Sequence, residues 1–299
     1  MKRILFVTAI AILIVSLSFA EETYLHFSKR PCHPPKVPKK PTADKLMKNW
    51  FDIKFTRYAD DVTYKGEVVF IDKSGFKRTK KWIRKRIILH GKRGFDYKDV
   101  VIITYPEYSK GLAVLTWAYL DINKQNDIWL WLPSWKKIRK VSQAEEDDSF
   151  MGSEFTVEEI TTRRYGYETY KLIGEDVFSG YKSGWDGKTY CKDVPCYKIE
   201  GYPKKKHWYY EKRIVWIDKK TGVSVYEEYY DKKGRKFKEI FHYYVYPENG
   251  CYYPVFYEVY NFKTGHRDII VMGSKKRPVF NTGISERFFT VKTLERQEW

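Results

Sequence analysis

A mainly β (α+β) fold is what this sequence predicts: a curled antiparallel sheet of about ten to twelve strands, with a few short helices over its concave face. Three observations carry the expectation. Runs rich in Val, Ile, Tyr, Phe and Trp recur along the chain, separated by turns that begin with Asp or Asn and end with Gly, at Asp72–Gly75, Asp218–Gly222, Asp231–Gly234 and Asn261–Gly265. Segments with helical periodicity are few and short. Aromatic residues make up 18% of the 299 residues, with 26 Tyr, more than a core alone requires. Many of those rings must therefore line a cavity or a half-exposed surface.

The chain opens on Lys2 and Arg3, an apolar run from Ile4 to Val15, and Ser18-Phe19-Ala20. That order predicts a signal peptide over 1–20 with cleavage after Ala20, and a soluble, exported, periplasmic protein, since the apolar run is short for a membrane span. Residues 21–41 carry Pro31, Pro34, Pro35, Pro38 and Pro41 and read as an extended arm. Thr42 is placed to cap a helix from Ala43 to about Trp50 that turns Leu46, Met47 and Trp50 to one side.

Strands follow over Val62–Ile71, Lys77–Leu89, Val100–Tyr105, Leu112–Tyr119, Ile128–Leu132 and Lys136–Val141. Thr156 and Glu159 have capping-box spacing and start a helix to about Arg163, with Val157 and Ile160 expected inward. Further strands occupy Tyr170–Phe178, Cys196–Glu200, Trp208–Ile217 and Val223–Tyr230, continuing past the last two hairpin turns. A final helical turn is expected near Ile284–Phe289.

A net charge of +18 would suggest nucleic acid in a cytoplasmic protein. Export moves the expected partner to an anionic membrane surface, or makes the charge a matter of solubility, and no nucleic-acid partner is expected. The four cysteines permit three disulfide connectivities; Cys191 with Cys196 would close a small loop and Cys32 with Cys251 would tie the arm to the body. The six histidines are scattered and no nucleophile elbow, phosphate loop or metal-ligand spacing occurs, so neither an enzyme nor a cofactor or metal site is expected.

The stretch from Asp127 to Glu159 is distinctive: a Trp-rich strand turning at Pro133, a basic return strand, then Phe150-Met151-Gly152-Ser153-Glu154-Phe155. It resembles the central part of the LolA-like outer-membrane lipoprotein-sorting family, with its "LP…KK-R" turn and "SFMGSDF"-like segment. Val215-Trp216-Ile217-Asp218-Lys219, Tyr229-Tyr230-Asp231-Lys232-Lys233-Gly234-Arg235 and Phe280-Asn281-Thr282-Gly283-Ile284-Ser285 are similar to three further motifs of that family, in the same order. Glu154 stands where the family has Asp.

The resemblance implies that residues 42–299 form one open half-barrel whose concavity holds the acyl chain of a lipid or lipoprotein. It also implies a carrier between envelope partners, among them exporters of the resistance-nodulation-division (RND) type. Candidate acyl-cavity residues are Trp129, Trp131, Leu132, Phe150, Met151 and Phe155. Candidate head-group or partner contacts are Lys137, Arg139, Lys140, Ser153 and Glu154. Ordinary sheet core and solvated charge are the competing readings of these positions. Two other functions stay open: a docking module of an RND-type exporter that carries nothing, and a polysaccharide-binding β protein using its Tyr and Trp rings.

Overall fold

Turn chemistry builds the sheet. At four hairpins the first Asp or Asn accepts the backbone N–H two residues on: Asp72 Oδ1 from Ser74 (2.8 Å), Asp218 Oδ1 from Lys220 (2.9 Å), Asp231 Oδ1 from Lys233 (2.9 Å) and Asn261 Oδ1 from Lys263 (2.9 Å). In the computed structural model, which describes residues 30–141, 147–272 and 277–297, these turns join long antiparallel neighbours. The expected signal peptide and the first residues of the arm lie outside the described residues.

The strands are β1 (Asp61–Ile71), β2 (Lys77–Ile88), β3 (Phe95–Tyr105), β4 (Ala113–Tyr119), β5 (Asp127–Leu132), β6 (Lys137–Val141), β7 (Glu168–Phe178), β8 (Tyr181–Lys182), β9 (Thr189–Tyr190), β10 (Val194–Pro203), β11 (Lys212–Asp218), β12 (Ser224–Tyr230), β13 (Lys236–Val245), β14 (Tyr253–Asn261), β15 (His266–Val271) and β16 (Val279–Phe280). Among the described residues one sheet of 14 strands runs β6-β5-β4-β3-β2-β1-β15-β14-β13-β12-β11-β10-β7, with β16 added to β1, and it does not close. The mainly β, curled half-barrel is therefore as expected. The strand count exceeds the expected ten to twelve partly because β16 has two residues, too few to leave a pattern.

Register divides the sheet into two faces. Val62, Tyr64 and Val68 of β1 share one face with Trp82, Arg84 and Arg86 of β2, and the same face continues through Asp99, Val101 and Ile103 of β3. This inner face is covered by helix α1 (Ala43–Lys54), capped by Thr42, which buries Leu46, Met47, Trp50 and Ile53. The helix runs one turn beyond Trp50 because Ile53 is also apolar and Lys54 finds a buried carboxylate partner, Glu227.

The opposite face carries its own cover. Between β7 and β10 the chain leaves the sheet and packs Tyr181, Trp185 and Tyr190 against Trp216, Tyr226, Phe241 and Phe256. Glu258, fully buried, fastens it by accepting from Ser183 Oγ (2.5 Å), Gly184 N (2.8 Å) and Tyr181 Oη (3.1 Å). At the other end, Phe289 and Leu294 of the closing segment, which ends in helix α2 (Val291–Arg296), pack on Val100, Ile102, Leu115 and Trp131.

The motif at 280–285 has a physical reason. Asp61 accepts the backbone N–H groups of Thr282 (2.9 Å), Gly283 (2.8 Å) and Ile284 (3.2 Å), and the Thr282 hydroxyl (2.9 Å). Asn281 sits at φ +53° and reaches the arm at Arg30 O (3.1 Å). The arm is held from Cys32 onward by the Cys32–Cys251 disulfide, as anticipated.

Three expectations are corrected. Cys191 and Cys196 are free thiols: Cys196 Sγ points into the outer-face core and donates to Val194 O (3.3 Å), while Cys191 packs at the edge of that cluster. The segment after Thr156 is a π-helical turn, Glu158–Thr162, rather than a regular helix: Glu158, Glu159 and Thr162 are buried, Ile160 packs half-buried against the main core as expected, and Val157 is half-buried. The capping box itself forms, with Glu159 N–H donating to Thr156 Oγ1 (3.3 Å) and Thr156 N–H to Glu159 Oε2 (2.8 Å). The strand expected from Trp208 begins only at Lys212, because Lys204–Glu211 leaves the sheet to wall a cavity.

Candidate functional site

The wide gap between the two arms of the sheet holds a cavity of about 470 Å3. One wall is the β4–β5 turn with Ile122 and Ile128; the facing wall is the β10–β11 connection with Trp208 and Tyr210; Val157, Glu158 and Thr162 of the π-helical turn lie between them. Its size falls within the roughly 300–1,000 Å3 typical of small-molecule sites. Arg164 braces the mouth, donating to Asp121 O (2.6 Å) and Lys124 O (3.3 Å) and to the Asn126 side chain.

The cavity's polarity is uneven. Lys124, Lys204 and Lys205 stand at the rim and make no ion pair among the described residues, although Lys124 lies over the Tyr119 ring and Lys205 over Trp208. Thr162, 8% exposed, has a hydroxyl without a hydrogen-bond partner among the described residues.

Beneath the cavity, the inner face is charged. Arg213 of β11 donates twice to Glu168 of β7 and once to Glu227 of β12, each at 2.7 Å. Arg163 binds Glu158 (2.7 Å), Lys238 binds Glu159 (2.8 Å) and Lys54 of α1 lies 3.7 Å from Glu227. Tyr209, Tyr210 and Tyr229 donate to Glu158, Glu168 and Glu227 respectively. Gly201 makes room, since a Cβ there would sit 2.9 Å from Glu168 Oε1.

Four carboxylates thus face four cations in a buried interior. Burial alone would raise the Glu168 carboxyl, yet Arg213 holds it down at about 2. Glu227 is likewise held well below the carboxylate range, against its burial, by Lys54 and Arg213. Burial brings Lys54 down to about 8 despite Glu227, so it still carries its proton at neutral pH.

The segment Phe150–Phe155 closes the far end of the inner face. Phe155 is 1% exposed core, and Phe150 and Met151 pack beside it, half-buried. Ser153 donates to Phe150 O (2.6 Å). Glu154 accepts from Asn261 Nδ2 (2.6 Å) and Thr264 Oγ1 (2.9 Å), and its N–H donates to Asp268 Oδ2 (2.6 Å). Ser153 therefore closes the loop on itself, and Glu154 latches it to the β14–β15 hairpin.

Burial and the nearby Glu154 charge push Asp268 up to about 6. A carboxyl raised above its unfolded value favours the fold most at low pH, and that contribution is lost as pH rises through about 6. Backbone amides of 150–155 are expected to exchange more slowly at pH 5 than at pH 7.5 after correction for intrinsic rates, and Asp268→Asn should remove the difference. Equal protection at both pH values in the parent protein would refute the latch.

The remaining anticipated residues are scattered. Trp129 and Trp131 lie on the outer face and pack with the closing segment, because their register partners Leu115 and Ala113 face that way. Leu132 shares the inner-face parity but borders the Pro133 turn. Lys137 and Arg139 are exposed on the edge strand β6, and Lys140 pairs with Asp127 (2.8 Å). None of these six residues lines the cavity. The residues that do line it come from turns, where no periodicity marks them. The charged network left one trace in the sequence: Arg213, Glu227 and Lys238 each interrupt an aromatic strand on the inward parity.

Residues 96–296 match the model of a family described as uncharacterized protein-like. No curated protein matches the chain. Among solved structures, a Vibrio parahaemolyticus domain named for outer membrane lipoprotein sorting is similar with a TM-score of 0.68 and 20% identity, over 85% of this chain and 98% of that one. A DUF1329 family protein from Desulfovibrio piger gives 0.68 and 23%, over 84% and 97%. A LolA superfamily protein from Nitrosomonas europaea gives 0.59 and 15%, over 85% and 100%. At these identities the likeness shows the fold, which is of the LolA type. No helix among the described residues is long and apolar enough to cross a membrane.

Proposed function

We propose, from the premise that the chain belongs to the family matched over residues 96–296 and has the LolA-type fold, that it is a periplasmic carrier of acyl-bearing ligands. The single observation that supports this most is the open cavity of about 470 Å3 between the arms of the sheet, with Ile122, Ile128, Val157 and Trp208 in a mixed lining and lysines at the rim. The driving force is sequestration. Each methylene removed from water contributes about 0.8 kcal/mol, so a chain held in such a cavity crosses an aqueous space without catalysis. Donor and acceptor would be envelope partners, an RND-type exporter among them, and the +18 charge suits an approach to anionic membrane.

A second reading has its own support. The inner face, which an acyl carrier would keep open, is filled by α1, Phe155 and the charged network. That filling favours a docking module that keeps the fold and has lost the deep cavity.

Native mass spectrometry of protein purified without detergent, followed by lipid extraction, separates the two. A stoichiometric acyl lipid is expected. Apo protein that also takes up no added lipid would refute the carrier and leave the docking module.

A further inference from the structure

The cavity between the arms is chemically lopsided, and the imbalance identifies a ligand. Three lysines, Lys124 from the β4–β5 turn and Lys204 and Lys205 from the β10–β11 connection, approach the mouth from opposite walls. The one carboxylate in the lining, Glu158, is already neutralised by Arg163 at 2.7 Å and is 1% exposed. The rim therefore presents three lysines that form no ion pair among the described residues, beside the apolar side chains of Ile122, Ile128, Val157 and Trp208.

We propose that this cavity binds a single acyl chain whose head group carries an anionic phosphate, the phosphate lying among Lys124, Lys204 and Lys205. The inference rests on the carrier reading and specifies its cargo. Size points to one chain. If a methylene occupies about the volume of a water molecule, ~30 Å3, the cavity of about 470 Å3 holds roughly fifteen. Lysine suits the head group because its ammonium is a mobile point charge that serves phosphate without demanding fork geometry. Exposure of the lysines makes the attraction salt-sensitive.

The test is calorimetric titration of the full mature chain with palmitoyl-lysophosphatidylglycerol and monopalmitoylglycerol below their micelle concentrations. The two share the acyl chain and a glycerol, and only the first carries a phosphate. The anionic lipid is expected to bind about tenfold more tightly at low salt. The combined Lys124→Gln, Lys204→Gln and Lys205→Gln variant should bring the two to parity with binding of the neutral lipid unchanged. Equal binding of both lipids by the parent protein would overturn the phosphate assignment and leave the carrier intact. Charge preference surviving in the lysine variant would place the phosphate elsewhere and overturn it too. Binding of neither lipid would overturn the carrier reading of this cavity along with the cargo. Inorganic phosphate bound as tightly as the anionic lipid would overturn the need for an acyl chain.

Discussion

Replacing Arg213 with Met is expected to destabilise the protein by about 3–5 kcal/mol, the usual cost of stripping one partner from a buried ion pair. Arg213 satisfies Glu168 with two hydrogen bonds and Glu227 with a third, and it is among the largest side chains that are fully buried. Without it, burial would act on Glu168 unopposed by its main cation, and the carboxyl now held at about 2 would climb toward the neutral range. Part of the loss should return when the orphan is neutralised. Arg213→Met with Glu168→Gln is expected to be more stable than Arg213→Met alone, since a buried charge left unpaired costs more than a polar amide. Urea denaturation of the parent, both single variants and the double variant measures the coupling directly. A loss below ~1 kcal/mol for Arg213→Met would mean that water reaches the network and that the inner face is wetter than its burial implies.

The network also explains which parts of this protein were legible in its sequence. Hairpins were legible because Asp72, Asp218, Asp231 and Asn261 do local work, each binding an N–H two residues away. The α1 helix was legible because Thr42 caps it and its apolar stripe is amphipathic. The inward direction of Glu158 and Glu159 was not, because a π-helical turn breaks the helical period and because their partners Lys238 and Tyr209 come from distant segments. Trp129 and Trp131 were visibly on one face together, but which face depended on the closing segment at Phe289 and Leu294, far along the chain. The Phe150–Phe155 motif was legible as a motif while its role was not. Its Glu154 works through Asn261, Thr264 and Asp268, more than a hundred residues away. The cavity was the least visible feature, being lined largely by turns whose composition resembles any solvated loop.

His242 yields the second large effect, and it is one of pH. The ring is buried on the inner face of β13, 5.2 Å from Trp50 and 4.7 Å from Tyr257 between ring centres, and neither nitrogen has a hydrogen-bond partner among the described residues. Burial first, then the Lys54 charge, push it down to about 3, against a smaller pull from Glu227 at 3.9 Å. Arg213 and Arg163 add further positive charge to its surroundings. The folded protein therefore keeps the ring neutral while the unfolded chain protonates it near pH 6.5. Unfolding takes up a proton throughout the interval, so stability present above pH 6.5 is lost as pH falls toward 3, at about 1.4 kcal/mol per unit. His242→Phe keeps the ring, removes the titration and leaves no hydrogen bond broken. Between pH 6.5 and 4.5, above the range in which Glu168 and Glu227 titrate, the parent should lose roughly 2–3 kcal/mol relative to the variant. Asp268, raised to about 6, acts in the opposite direction but is common to both proteins and cancels in the difference. Chemical denaturation at half-unit steps of pH measures it. Parallel stability curves for the two proteins would show that His242 is protonated when folded, and that the four cations and four carboxylates around it do not form a closed, neutral set.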